Sequence, residues 1–159
     1  TMKIRLQRGA SVAPLKNRPL FKRILQEVLQ GMGFALAEPG ILQFILLSEK
    51  EMTALNALHL GHQGVTDVIT YDLRNPDLQF PGEDEPVLAE IYLCPAVAVK
   101  NAELYGQSPS RELFLYAVHG LLHLQGEDDC DDNARVSMRA AENRIMQAME
   151  ERLHNVDFF

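Results

Sequence analysis

A chain of 159 residues with 47% apolar and 23% charged side chains has the size and composition of one globular unit with one core, and it excludes disorder over most of its length. Its longest apolar runs, such as Ile41–Leu47, are too short to span a bilayer, and the opening stretch TMKIRLQRGASVAP has no signal-like apolar segment, which predicts a cytoplasmic protein without a membrane partner. The net charge of −7 argues against a broad basic surface for nucleic acid, although a local basic groove is compatible with a negative total.

Thr1 before Met2 reads as a cloning remnant. Met2, Ile4 and Leu6 alternate with Lys3, Arg5 and Gln7, which predicts a strand. A helix follows from Asn17 to Gln30, capped by Asn17, with Pro19 in its first turn and Phe21, Ile24, Leu25, Val28 and Leu29 on one stripe; Gly31 and Gly33 end it. Ile41–Leu47 reads as a strand buried on both faces. Ser48 and Glu51 form a capping box for a helix reaching Leu60. Gly61 and Gly64 open a loop, Asp67–Leu73 returns as a strand, and Arg74–Pro86 (RNPDLQFPGEDEP) reads as an exposed loop. Val87–Cys94 is a further strand, and Pro95 starts a helix that ends at Tyr105 before Gly106. Ser108-Pro109 starts another, predicted to run to Gln125 and to stop at Gly126. A last helix, Asp132 to Leu153, places Met138, Ala141, Ile145, Met149 and Leu153 on one face. The pattern predicts a single α/β (α+β) domain over residues 2–159: a mixed sheet of about four strands packed with about five helices.

The helix from Pro109 carries HGLLHLQGEDD, residues 119–129. His119 and His123, four apart, share a helix face with β-carbons about 5–6 Å apart, close enough for both imidazoles to reach one ion. Gly126 accepts a left-handed backbone and lets the chain turn back, so that Asp129 supplies a third ligand. Two histidines, a carboxylate and one open position describe a catalytic zinc site on a zincin-like helix. Glu112, Tyr116, His119 and His123 form a polar stripe, opposite a buried one of Leu113, Phe114, Ala117, Val118, Leu121 and Leu122. Zinc proteases carry a glutamate base directly after the first histidine; here that position is Gly120, which argues against protease activity. Cys94 and Cys130 form no CxxC pair and predict two free thiols, with Cys130 a minor candidate for a neighbour of the metal. His154 reads as a solvated residue.

These residues resemble a known family, the YbeY endoribonucleases, whose motif HGxLHLxGYDH stands here as HGLLHLQGEDD. LNALHLGHQGVTDVITYDL at 55–73 is similar to the family's LN…R…PTDVLSFP segment, and LAEIYLC at 88–94 to its L-G-[DE]-I strand. The resemblance implies a mixed α/β fold, one zinc ion and metal-dependent cleavage of single-stranded RNA. It further implies a partner in rRNA or the small ribosomal subunit, with roles in maturation of the small-subunit 3′ end and in ribosome quality control. Two family histidine ligands map onto His119 and His123; the third falls on Asp129. That carboxylate binds zinc but weakens the ion as a Lewis acid, and a two-histidine, one-carboxylate set also suits iron or manganese. The family arginine falls on Leu60, so His59, His62 or Arg74 are the candidates to replace it against a phosphate.

Thr66 and Asp67 match the family and are the candidate substrate-binding residues, though they also suit capping of the following strand. Glu90 is a candidate partner for a ligand histidine or an exposed strand carboxylate. Gly120 leaves room for a nucleotide, and Asp128 or Glu127 is a candidate proton acceptor or else a turn residue, the turn reading being favoured for Glu127. Two rivals stand beside the nuclease. One is a non-catalytic ribosome-assembly factor with a structural or degenerate metal site, favoured by the net charge and by Leu60; the other is a metal hydrolase of a non-nucleotide ester or amide.

Overall fold

A computed structural model describes residues 2–33, 40–60, 66–74 and 85–159, the side chains of His59 and Leu60 excepted. The alternating N-terminus forms β1 (Met2–Arg8), which pairs in parallel with β2 (Gly40–Leu46). Between them α1 (Arg18–Gly31) makes the crossover and buries the Phe21–Leu29 stripe. Nearly every residue of β2 is buried, as a central strand of a parallel pair requires. The capping box forms as expected: Glu51 N–H donates to Ser48 Oγ and Ser48 N–H to Glu51 Oε1, each at 3.1 Å, opening α2 (Glu49–Leu60).

The chain returns as β3 (Val68–Asp72), antiparallel to β4 (Val87–Leu93), which in turn lies parallel to β2. The sheet is therefore mixed, in the order β1-β2-β4-β3. The helices α3 (Pro95–Tyr105), α4 (Pro109–Leu124), α5 (Asp132–Ala148) and α6 (Glu150–Leu153) follow. The Gly61–Gly64 turn and residues 75–84 of the expected loop lie outside the described residues.

One large apolar cluster joins sheet residues such as Leu42, Phe44 and Ile91 to Phe21 of α1 and to Leu113, Phe114 and Ala117 of α4. A smaller one gathers Ile45, Leu47, Ile69 and Cys94 against Met52 of α2. Phe21 meets Phe114 and Phe158 edge-on, with centroids 6.3 and 5.1 Å apart. Phe158 is tied to α4 by its N–H, which donates to the buried Ser110 Oγ at 2.8 Å. The C-terminal residues thus help to lock α4 in place.

Two expectations are corrected. Asn17 precedes α1 in the left-handed conformation (φ 53, ψ 43) and its side chain caps nothing. Capping by a side chain requires an extended residue, and only the Asn17 carbonyl engages the helix, accepting from Phe21 N–H at 3.1 Å. The last helix is two, because Met149 (φ −96, ψ 0) leaves the helical region. Hydrogen bonding continues across that break: Met149 N–H reaches the Ile145 carbonyl, and Leu153 N–H the Met149 carbonyl, both at 3.0 Å.

Candidate metal centre

Ser108 caps α4, its Oγ accepting from Arg111 N–H at 3.1 Å, and Pro109 occupies the first turn. From there α4 runs between the sheet, α3 and α5. Its pitch brings His119 and His123 together with Nε2 atoms 3.0 Å apart and rings edge-on. Gly126 adopts φ +101, and the N–H groups of Gly126 and Glu127 close the helix end on the carbonyls of His123 and Leu122, each at 3.1 Å. The turn it permits brings the Asp129 carboxylate to 3.7 Å from His119 Nε2 and 4.0 Å from His123 Nε2.

Three donor atoms therefore lie within 4.8 Å of one another, one from each of the residues expected to hold a metal. Donors about 2.0–2.1 Å from a tetrahedral zinc ion form a triangle with edges of about 3.3 Å. Edges of 3.0, 3.7 and 4.0 Å lie close to that, so the set fits one ion with a position left open to the cavity.

Glu142 is a functional residue that sequence reasoning missed. Its Oε1 lies 2.5 Å from His119 Nδ1, reaching from α5 to the far side of the imidazole. With Nδ1–H donating to that carboxylate, Nε2 presents a lone pair to the metal position. The available signal was faint: Glu142 directly follows Ala141 at the edge of the buried face of the last helix. Burial works against a charged His119, yet the hydrogen bond and charge of Glu142, with the charges of Asp67 and Asp129, outweigh it and raise its pKa. For His123 burial dominates, reinforced by repulsion from His119, and its pKa falls below the ordinary histidine value.

The same site is entered by Thr66 and Asp67, which line a cavity of about 450 Å³ with His119, His123 and Asp129. Thr66 Oγ1 donates to Asp67 Oδ1 at 3.4 Å, while the Asp67 carbonyl accepts from Cys94 N–H at 3.2 Å and so ties the start of β3 to the end of β4. Thr70 lines the cavity too, and its buried Oγ1 has no hydrogen-bond partner among the described residues.

Other expectations fail for identifiable reasons. Gly120 leaves no space for a nucleotide: a β-carbon there would stand 2.8 Å from Ile91 Cγ2 and 2.9 Å from Thr70 Oγ1, so the glycine exists to let α4 approach the sheet. Glu112 and Tyr116 do not form an exposed polar stripe but are buried. The Tyr116 hydroxyl accepts from Asn101 Nδ2 at 2.8 Å. Burial raises both pKa values.

Among the described residues Glu90 serves no histidine; it accepts from Tyr92 Oη at 3.0 Å and Gln43 Nε2 at 3.4 Å. Arg74 pairs with Asp72 through Nε and Nη2 at 2.9 and 2.6 Å and donates to the Leu124 carbonyl at the end of α4, so its guanidinium is committed to two residues that line the same cavity. His62 and the side chains of His59 and Leu60 lie outside the described residues.

Glu127 accepts from Ser137 Oγ at 3.0 Å, and Asp128 closes a turn by accepting from Cys130 N–H at 3.1 Å; both are structural in the bend before α5. Cys94 is a buried free thiol and Cys130 an exposed one. The hydrogen bond and charge of Asp128 raise the Cys130 pKa, away from the thiolate a metal takes. His154 is exposed, as expected. Among the described residues no helix is long and apolar enough to cross a membrane.

Residues 4–150 match the family described as Endoribonuclease YbeY. Relatives bearing that name include one from Elusimicrobium minutum, 37% identical over 75% of this chain and 81% of its own. Another, from Acidothermus cellulolyticus, is 34% identical over 93% of this chain and 90% of its own. The solution structure of TM1509 from Thermotoga maritima superposes with a TM-score of 0.61 at 26% identity, covering 96% of this chain and 93% of that one.

Proposed function

The chain belongs to the YbeY endoribonuclease family, and from that premise we propose that it is a zinc-dependent endoribonuclease of the cytoplasm. Its substrate in this reading is single-stranded RNA at the 3′ end of small-subunit rRNA, and its work is rRNA maturation and ribosome quality control. The observation that carries the reading is the convergence of His119, His123 and Asp129 at the wall of an open cavity, with Glu142 fixing one imidazole from behind. His119, His123 and Asp129 would hold the ion, which would supply Lewis acidity toward a phosphoryl oxygen and lower the pKa of a water.

The protein's own groups do the rest. Glu142 holds His119 in the tautomer that exposes Nε2. Asp129 contributes a negative charge, which would leave a metal-bound water less acidic than three neutral ligands would. Asp67, which accepts from Thr66 Oγ1, offers a carboxylate suited to ribose hydroxyls and base edges rather than to phosphate oxygens.

The test is cleavage of a single-stranded oligoribonucleotide matching an rRNA 3′ end by purified, zinc-loaded protein. The wild type is expected to cut it, and His123→Ala to lose the activity while remaining folded. Absence of cleavage with any divalent ion contradicts the reading. Full support of rRNA maturation in cells by a folded His123→Ala favours the non-catalytic assembly factor instead.

A further inference from the structure

The carboxylates around the metal position outnumber the charges of a divalent ion before any RNA arrives. A divalent ion there is opposed by Asp129 and by Glu142 behind His119, and Asp67 adds a further carboxylate to the same walls. An RNA backbone brings one negative charge per nucleotide, so the site needs cations beyond the ion to hold it.

They stand on α5. Beside the larger cavity lies a second one of about 220 Å³, lined by His119, Asp129 and Glu142 and also by Arg135 and Arg139. Arg135, Met138, Arg139 and Glu142 follow the i, i+3, i+4, i+7 pattern of a single helix face. Both ends of this face are fixed at the metal residues. Glu142 contacts His119 Nδ1, and Arg135 Nη1 donates to the Asp129 carbonyl at 3.2 Å. Met138 between them is buried in the core, so the rotation of the helix is set.

Arg135 is held in place, its guanidinium also pairing with Asp132. Arg139, one turn later and exposed, makes no hydrogen bond or ion pair among the described residues. A guanidinium that lines the cavity and is spent on nothing else is free to take a phosphate bidentately.

We propose that Arg139, positioned beside Arg135 on the metal-facing side of α5, is the phosphate-binding residue of this site and grips the RNA backbone next to the scissile bond. The inference rests on the nuclease reading of the same site.

The experiment measures binding of a phosphorothioate-linked single-stranded oligoribonucleotide, chosen to resist cleavage, to the zinc-loaded protein across a salt series. Arg139→Ala is expected to weaken binding about ten-fold, as loss of one charge-assisted contact does. It should also flatten the dependence of log affinity on log salt by about 0.7, the value for one phosphate contact on a single strand. Arg139→Lys should keep the salt slope, and zinc content should be unchanged in both. Arg152→Ala removes the same charge at a distance, where Arg152 pairs with Glu27, and should bind like the wild type.

An Arg139→Ala protein with wild-type affinity and slope overturns the inference alone. So does an equal loss in Arg152→Ala, which would make the effect one of overall charge, or a loss of zinc in Arg139→Ala, which would make it indirect. A wild-type protein that binds no RNA overturns the nuclease reading and this inference together.

Discussion

Glu142 reaches across from α5 to place its Oε1 2.5 Å from Nδ1 of His119, joining two helices through the back of a candidate metal ligand. A carboxylate in this position fixes the ring, selects the tautomer and raises the basicity of the coordinating nitrogen. Glu142→Ala should therefore lower metal affinity by about 10–100-fold without unfolding the chain. Competition against a chromophoric chelator measures this. Unchanged affinity would show that α5 has no part in organising the site.

Gly120 is the point of closest approach between α4 and the sheet. A methyl group added there meets Ile91 and Thr70 at distances below ordinary contact, and neither is the tip of a long flexible side chain. Gly120→Ala should cost about 1–3 kcal/mol, the usual range for overpacking a filled core. It should weaken metal binding as well, because His119 and His123 flank the displaced segment. Denaturant unfolding gives the first quantity and metal titration the second; a substitution that is neutral in both contradicts the packing argument.

Glu112 predicts a pH dependence of stability. Burial, aided by the charge of Asp67, raises its pKa above the ordinary glutamate value against the lowering effects of Tyr116 and Arg111. The folded chain then keeps this proton to higher pH than the unfolded chain does. Its stabilising contribution is complete below the unfolded pKa and is lost as pH rises through the folded one. Glu112→Gln, which mimics the protonated carboxyl, should therefore gain on the wild type as pH increases from 4 to 8. Thermal melts register the gain at about 2–4 °C per kcal/mol for a chain of this size. A difference in Tm that is flat or shrinks with pH opposes the assignment.

In the proposed nuclease Asp129 would set the acidity of the hydrolytic water. Replacing an anionic ligand by a neutral one strengthens the ion as a Lewis acid, so Asp129→His should keep zinc and move the alkaline-rising limb of the cleavage profile to lower pH. An unmoved limb would assign that titration to another group.

Local signals were the legible ones. The Ser48–Glu51 box, the Ser108-Pro109 start and the Gly126 stop each act within a few residues, and each forms where the spacing places it. His119, His123 and Asp129 belong to the same class, since one helix turn and one glycine bend suffice to gather them. What stayed hidden depends on contacts between distant segments. Glu142 is 23 residues from its histidine, and Gly120 is explained by strands rather than by ligand space. Glu112 and Tyr116 look like a polar stripe until the fold buries them and α3 supplies Asn101 to the Tyr116 hydroxyl. Arg74 is tempting as a substitute cation, and only the fold brings Leu124 within its reach. Periodicity locates a helix face, but it does not say what that face meets.

The most direct test of the central claim is the metal content of the purified protein by elemental analysis, in the wild type and in Asp129→Ala. One zinc per chain in the wild type, and a large loss in a variant that stays folded, is the predicted result. A wild-type protein without stoichiometric metal, or an Asp129→Ala protein that retains the full complement, would contradict the three-residue centre on which the nuclease reading stands.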